Sequence, residues 1–146
     1  MRITFTFIRN IVLVIAAAAL LTACNRVKPI YEVRNQPIPQ LSAPLTLGQV
    51  QKGILSAGAK IGWKMIAVKP GLVHGTIEWQ RHSGTVGITY DTRSFSMLYE
   101  RSYRLKYGMG MEDTTYEGKR VIHNRYNQHV KKLRREIETF LFAAGS

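Results

Sequence analysis

Acidic residues, cysteine and long apolar runs are all scarce in this sequence of 146 residues. Nine Asp and Glu stand against 21 Lys and Arg, a formal charge of +12. A chain of this length has room for one ordinary domain. The single cysteine excludes an intramolecular disulfide and any thiolate-rich metal site. One continuous apolar stretch occurs, residues 11–21 (IVLVIAAAALL), well short of the ~20 residues that cross the hydrocarbon core of a bilayer. Proline is nearly confined to one strip, with Pro29, Pro37, Pro39 and Pro44 making up four of its five occurrences. Apolar residues form 45% of the chain, too many for a wholly disordered one, although residues 11–21 inflate that figure.

What is present begins at the N-terminus. Arg2 and Arg9 give a positively charged opening, the apolar run follows, and Thr22, Ala23 and Cys24 close it. This is the layout of a signal peptide. The tetrad Leu21-Thr22-Ala23-Cys24 resembles the lipobox of bacterial lipoproteins, in which a branched apolar residue and two small ones precede the cysteine at the cut site. Small side chains let the backbone lie in a protease groove, and the Cys sulfur is the nucleophile that takes a diacylglyceryl group in a thioether. The resemblance implies cleavage after residue 23 and a mature chain anchored through acylated Cys24. At ~0.8 kcal/mol per buried methylene, two or three acyl chains exceed the marginal hold of one. A buried free thiol, or cleavage without lipidation, is the alternative. In the sorting pattern of such lipoproteins an Asp directly after the cysteine retains the protein in the inner membrane. Asn25 in that place implies the outer membrane of a bacterial cell envelope, with the domain facing the periplasm.

Residues 1–23 carry only Arg2 and Arg9 among charged side chains, so the remaining 123 residues keep 19 basic against 9 acidic groups, or +10. Such basicity ordinarily points to nucleic acid, because cations displace counterions from phosphates. An exported domain does not meet that partner. The anions within its reach are lipid head groups, lipopolysaccharide phosphates, acidic glycans and peptidoglycan carboxylates; the bland alternative is a surface kept soluble by its charge.

Three segments follow from this reading: a signal peptide over 1–23, a lipidated proline-rich tether over 24–45, and a small periplasmic domain over 46–146. The prolines exclude a helix in the tether. Extended at ~3.1 Å per residue, some 20 residues reach roughly 60 Å from the bilayer. The alternative is an arm packed along the domain, with Ile30, Tyr31 and Val33 as anchors.

Within the domain, Thr46-Leu47-Gly48-Gln49 fits a capping box and predicts a helix to about Lys60. Leu47, Val50, Ile54, Ala57 and Ile61 form its apolar stripe, Gly53 and Gly58 allow close packing on a sheet, and Gly62 stops it. Period-two alternation then predicts four strands, with turns at Pro70-Gly71, His82-Ser83-Gly84 and Asp91-Thr92-Arg93. Ile122, Tyr126, Val130, Leu133, Ile137, Phe140 and Leu141 recur at helical spacing. The expected fold is α+β and two-layered, a four-stranded antiparallel meander covered by two helices in the order αββββα.

Motifs for catalysis are thin. His74, His82, His123 and His129 lack companions at metal-ligand spacing, so no metal or cofactor is expected. No Ser sits in a GxSxG elbow, and Glu112-Asp113 follow a Gly-Met-Gly-Met loop without phosphate-loop spacing. Two basic features stand out as candidate partner surfaces. Arg101, Tyr103, Arg104, Lys106 and Tyr107 interleave cations with aromatics after the fourth strand. Seven Lys and Arg and no acid lie between residues 119 and 135, with Lys131, Lys132 and Arg135 outside the apolar stripe. Against these stand a long strand with core tyrosines and a merely solvated helix face. The expectation is a non-catalytic binding or scaffold module for an envelope protein or an anionic lipid or glycan. The rival is an enzyme acting on an envelope polymer through His123, Tyr126 and Asn127. A tryptophan-containing meander closed by HNRYN (residues 123–127) looks like small uncharacterised proteobacterial lipoproteins, a resemblance to which no activity attaches.

Overall fold

Prolines at strand ends and on sheet edges do not interrupt a ladder, and that is how the proline-rich strip is used. Strand β1 (Val27–Pro29) and strand β2 (Val33–Pro37) each end on a proline. The computed structural model describes residues 26–39, 44–110 and 115–144. Residues 1–25, with the apolar run and Cys24, and residues 111–114, with Glu112 and Asp113, lie outside it. Within 26–39 the packed arm replaces the expected free spacer. Val33 and Ile38 are buried in the core, and Ile30 and Tyr31 pack against it.

Helix α1 (Leu47–Lys60) starts as its capping box requires: Gln49 N–H donates to the Thr46 hydroxyl at 3.2 Å, and Thr46 N–H donates to the Gln49 side chain at 2.8 Å. Gly62 takes φ +85 just beyond it, a conformation that suits glycine and ends the helix. The meander follows as β3 (Lys64–Lys69), β4 (Leu72–Trp79), β5 (His82–Tyr90) and β6 (Ser94–Tyr103), each antiparallel to the next. One turn shifts: Trp79 pairs with His82, so the loop is Gln80-Arg81 rather than His82-Ser83-Gly84.

The sheet is larger than a four-stranded meander. β2 joins the free edge of β6, giving five strands in the order β2-β6-β5-β4-β3. A second sheet of three strands, β1-β8-β7, is built from β1, β7 (Gly108–Met109) and β8 (Arg120–His123). The class is α+β as expected, but the order becomes ββαββββββα. Helix α2 (Asn124–Ala144) therefore starts later than its sequence pattern suggests. Ile122 lies four residues before Tyr126, in phase with the helical stripe, yet the β-branched pair Val121-Ile122 pairs in β8 with Pro29 and Lys28. The chain turns helical only at Asn124, whose N–H donates to the Arg26 carbonyl at 2.7 Å.

Both helices share one core with the five-stranded sheet. Val50, Ile54 and Ala57 of α1, Val73, Ile77, Val86, Ile88, Phe95 and Met97 of the sheet, and Tyr126, Val130, Leu133, Ile137 and Leu141 of α2 are all buried. Gly53 faces the neighbouring helix rather than the sheet: a Cβ there would lie 2.8 Å from Leu141 Cδ2. Gly58 does approach the sheet, where a Cβ would collide with Met65 of β3. Lys60 bridges the helices through Glu136 at 2.9 Å. No helix among the described residues is long and apolar enough to cross a membrane.

Candidate functional site

A bulge in β6 decides where the aromatic and basic residues at its end point. Val86 pairs with Tyr99 and Thr85 with Arg101, so Glu100 is an extra residue on β6. One extra residue moves every later side chain to the other face. The expected run of core tyrosines therefore breaks: Tyr103 is 58% exposed and Tyr107 47% exposed. Leu105 alone returns to the core, held between Arg104 at φ +58 and Lys106 at φ +52. Residues other than glycine pay steric strain in that region, and such strain persists where the surroundings enforce it. Here the enforcement is visible, since His123 N–H donates to the Leu105 carbonyl at 2.8 Å and His82 Nδ1 donates to the Arg104 carbonyl at 3.0 Å.

The candidate residues separate into three places. Arg101 is exposed opposite Thr85, on the sheet face turned away from the helices. Tyr107 stacks on Tyr99 with centroids 4.5 Å apart, while the Arg104 guanidinium lies 5.3 Å over the Tyr103 ring. Lys131, Lys132 and Arg135 are exposed along α2, with Lys131 Nζ 5.1 Å over the Tyr31 ring. Their neighbour Arg134 is paired with Glu138 at 3.2 Å; the other three form no ion pair among the described residues.

The polar cluster named for the enzyme reading is drawn into packing. Tyr126 is fully buried, its hydroxyl has no hydrogen-bond partner among the described residues, and burial pushes its phenol far above the ordinary range. Asn127 accepts from Tyr31 N–H at 2.9 Å and donates to the Pro29 carbonyl at 2.8 Å, clamping the link between β1 and β2. His123 Nδ1 accepts from Arg125 N–H at 3.2 Å, and its ring lies 6.4 Å from that of His82. Burial, and then the positive groups His82, Arg26, Lys106 and Arg125, hold His123 below the usual histidine range. His129 packs on Trp79 at 4.6 Å, with Nε2 buried and without a partner among the described residues; burial, Arg125 and Lys132 lower it too. His74 Nε2 stands 3.9 Å from Glu100. Among the described residues no group of three or more His, Cys, Asp and Glu is placed to hold a metal.

Two residues that sequence reasoning passed over matter most. Glu32 joins the sheets, accepting from Arg34 at 2.8 Å, from Arg120 at 2.9 Å and from Tyr99 N–H at 3.2 Å. Burial works to raise its pKa, but those donors prevail and leave it lowered. Arg26 stands beside the start of α2, and only its nearness to Cys24 in sequence could have marked it. The fold defines a small α+β protein with two antiparallel sheets. Compared with family models, curated proteins and solved structures, the chain matches none, so its functional reading rests on its own residues.

Proposed function

We propose that this is a lipid-anchored protein of the bacterial cell envelope, held by acylated Cys24 in the outer membrane and facing the periplasm. Its α+β domain binds or organises another envelope component without catalysis. The observation that carries the reading is the tetrad Leu21-Thr22-Ala23-Cys24, set two residues before Arg26, where the described fold begins. Export also separates the basic domain from nucleic acid. The α2 face bearing Lys131, Lys132 and Arg135 supports an envelope protein of acidic surface as partner, because three exposed cations that form no ion pair among the described residues keep their full field. The enzyme reading gains no support from His123, Tyr126 and Asn127, since Asn127 is spent on two backbone groups and the Tyr126 hydroxyl is shut away from solvent.

Cys24→Ala is expected to abolish incorporation of labelled lipid and membrane fractionation; retained labelling ends the lipoprotein reading. Photocrosslinking in intact cells from position 128, one exposed turn before Lys132, is expected to yield one specific protein adduct. The triple reversal Lys131→Glu, Lys132→Glu, Arg135→Glu is expected to remove it. An unchanged adduct, or one formed with glycan alone, overturns the α2 face as a protein-binding surface.

A further inference from the structure

Five exposed cations meet at the end of the molecule from which the chain leads back to Cys24. Arg26 is bonded through its carbonyl to Asn124 N–H, beside Arg125. Arg104 and Lys106 flank Leu105, whose carbonyl takes His123 N–H. Arg81 sits on the β4–β5 turn next to His82, and His82 reaches the Arg104 carbonyl. His82 and His123, rings 6.4 Å apart, tie these segments together. None of Arg26, Arg81, Arg104, Lys106 and Arg125 forms an ion pair with an acid among the described residues, whereas Arg34 and Arg120 are both paired with Glu32.

We infer that this end is the membrane-facing surface of the protein, its five cations docking on the anionic head groups of the bilayer that holds Cys24. The inference rests on the lipid anchor proposed above. Two residues span at most about 7 Å, less than the ~8 Å Debye length at physiological ionic strength, so the patch stays within the unscreened field of the head groups. Each Lys or Arg near such a surface shifts the docked population by about fivefold. Arg104 and Lys106 hold strained backbone to project outward around a buried leucine, a geometry that packing alone could meet with glycine at lower cost. Burial lowers His123 first, and the positive groups His82, Arg26, Lys106 and Arg125 lower it further; that repulsive part is of the kind an anion relieves. Helix α2, about 31 Å long at 1.5 Å per residue, starts at this end. Docking here leaves Lys131, Lys132 and Arg135, farther along it, clear for a partner.

The test uses the full chain purified from membranes, with the mass of its N-terminal peptide read first. It is placed in bilayers of phosphatidylcholine alone or mixed with phosphatidylglycerol. Because Cys24 is the one cysteine and is blocked by lipid, Tyr103→Cys and, at the opposite end, Val68→Cys each provide one site for a nitroxide label. On the anionic bilayer the label at 103 is expected to be shielded several-fold from a water-borne relaxation reagent relative to phosphatidylcholine. The label at 68 is expected to be equally accessible on both, and high salt to remove the shielding. Arg104→Gly with Lys106→Gly is expected to lose the shielding while Tm stays level or rises, since glycine relieves both positive-φ positions. Equal accessibility on the two bilayers in acylated protein, or shielding that survives the double glycine variant, overturns the docking surface and leaves the anchor intact. An unacylated N-terminal peptide overturns both.

Discussion

At the scale of single residues, polar groups explain more than their number suggests. Tyr126 buries a hydroxyl without a partner among the described residues, and removing an unsatisfied buried polar group recovers part of its desolvation cost. Tyr126→Phe is therefore expected to leave stability unchanged or raise it by up to ~1 kcal/mol, read as the urea midpoint. A loss of more than that amount would show that the hydroxyl has a partner in solution. His129 makes the opposite point. Its pKa is lowered by burial and by Arg125 and Lys132, so between its folded value and the ordinary ~6.5 the unfolded chain binds more protons. The stability it contributes is present above about pH 6.5 and is lost as pH falls through the folded pKa. Thermal melts are expected to fall on acidification from about pH 7.5 to about pH 5.5, and His129→Phe to flatten that slope. An identical slope in the variant would place the dependence elsewhere, His123 being the next histidine lowered in the same direction. None of this was legible in the sequence. Tyr126 and Asn127 attract notice there as a polar cluster, but Asn127 meets Tyr31 across 96 residues of chain, and no local pattern carries such a contact.

At the scale of elements, local devices were legible and distant ones were not. The capping box of α1 works through atoms three residues apart, so its residue types suffice to predict it. Thr46→Ala is expected to cost about 1 kcal/mol, with amide exchange accelerated in the first turn of α1 and little elsewhere; uniform acceleration would mean that the cap governs global unfolding instead. The four strands of the meander were equally readable, because period two is a local property. The bulge at Glu100 was not: an extra residue is visible only as a shift between β5 and β6, and it turned Tyr103 outward. β8 misled for a related reason. Ile122 fits a helical stripe by spacing, and only the neighbouring strands β1 and β7 make it a strand.

At the scale of the molecule, residues 26–39, which follow the proposed lipid anchor, are part of the domain. β1 completes the small sheet and β2 extends the large one, with Glu32 between them tied to β6 and β8. Glu32→Gln is expected to cost about 1 kcal/mol, the scale of charged hydrogen bonds weakened by solvent screening of the exposed Arg34 and Arg120, and to loosen β1 and β2 together in hydrogen exchange. Since the Glu32 pKa is lowered, its contribution is present above the ordinary ~4.3 and lost as pH falls through the folded value. The variant's acid unfolding below about pH 4 is thus expected to be shallower than the parent's. Exchange confined to β2 would show that Glu32 does not couple the sheets. The same integration leaves two residues between the fold and the proposed anchor, which is why one end of the domain is proposed to lie on the bilayer.

The sequence by itself determined the charge, the lone Cys24 with its lipobox-like neighbours, the helix cap, the meander and the apolar stripe of α2, all of which depend on composition or on residues a few positions apart. Only the tertiary structure decided that the proline-rich strip pairs into two sheets, that a bulge exposes Tyr103, that Tyr126 is buried and Asn127 clamps the link between β1 and β2, and that Arg26, Arg81, Arg104, Lys106 and Arg125 converge. Those outcomes rest on pairing between residues far apart in the chain, where local propensity is silent and the closure of the core selects the partner.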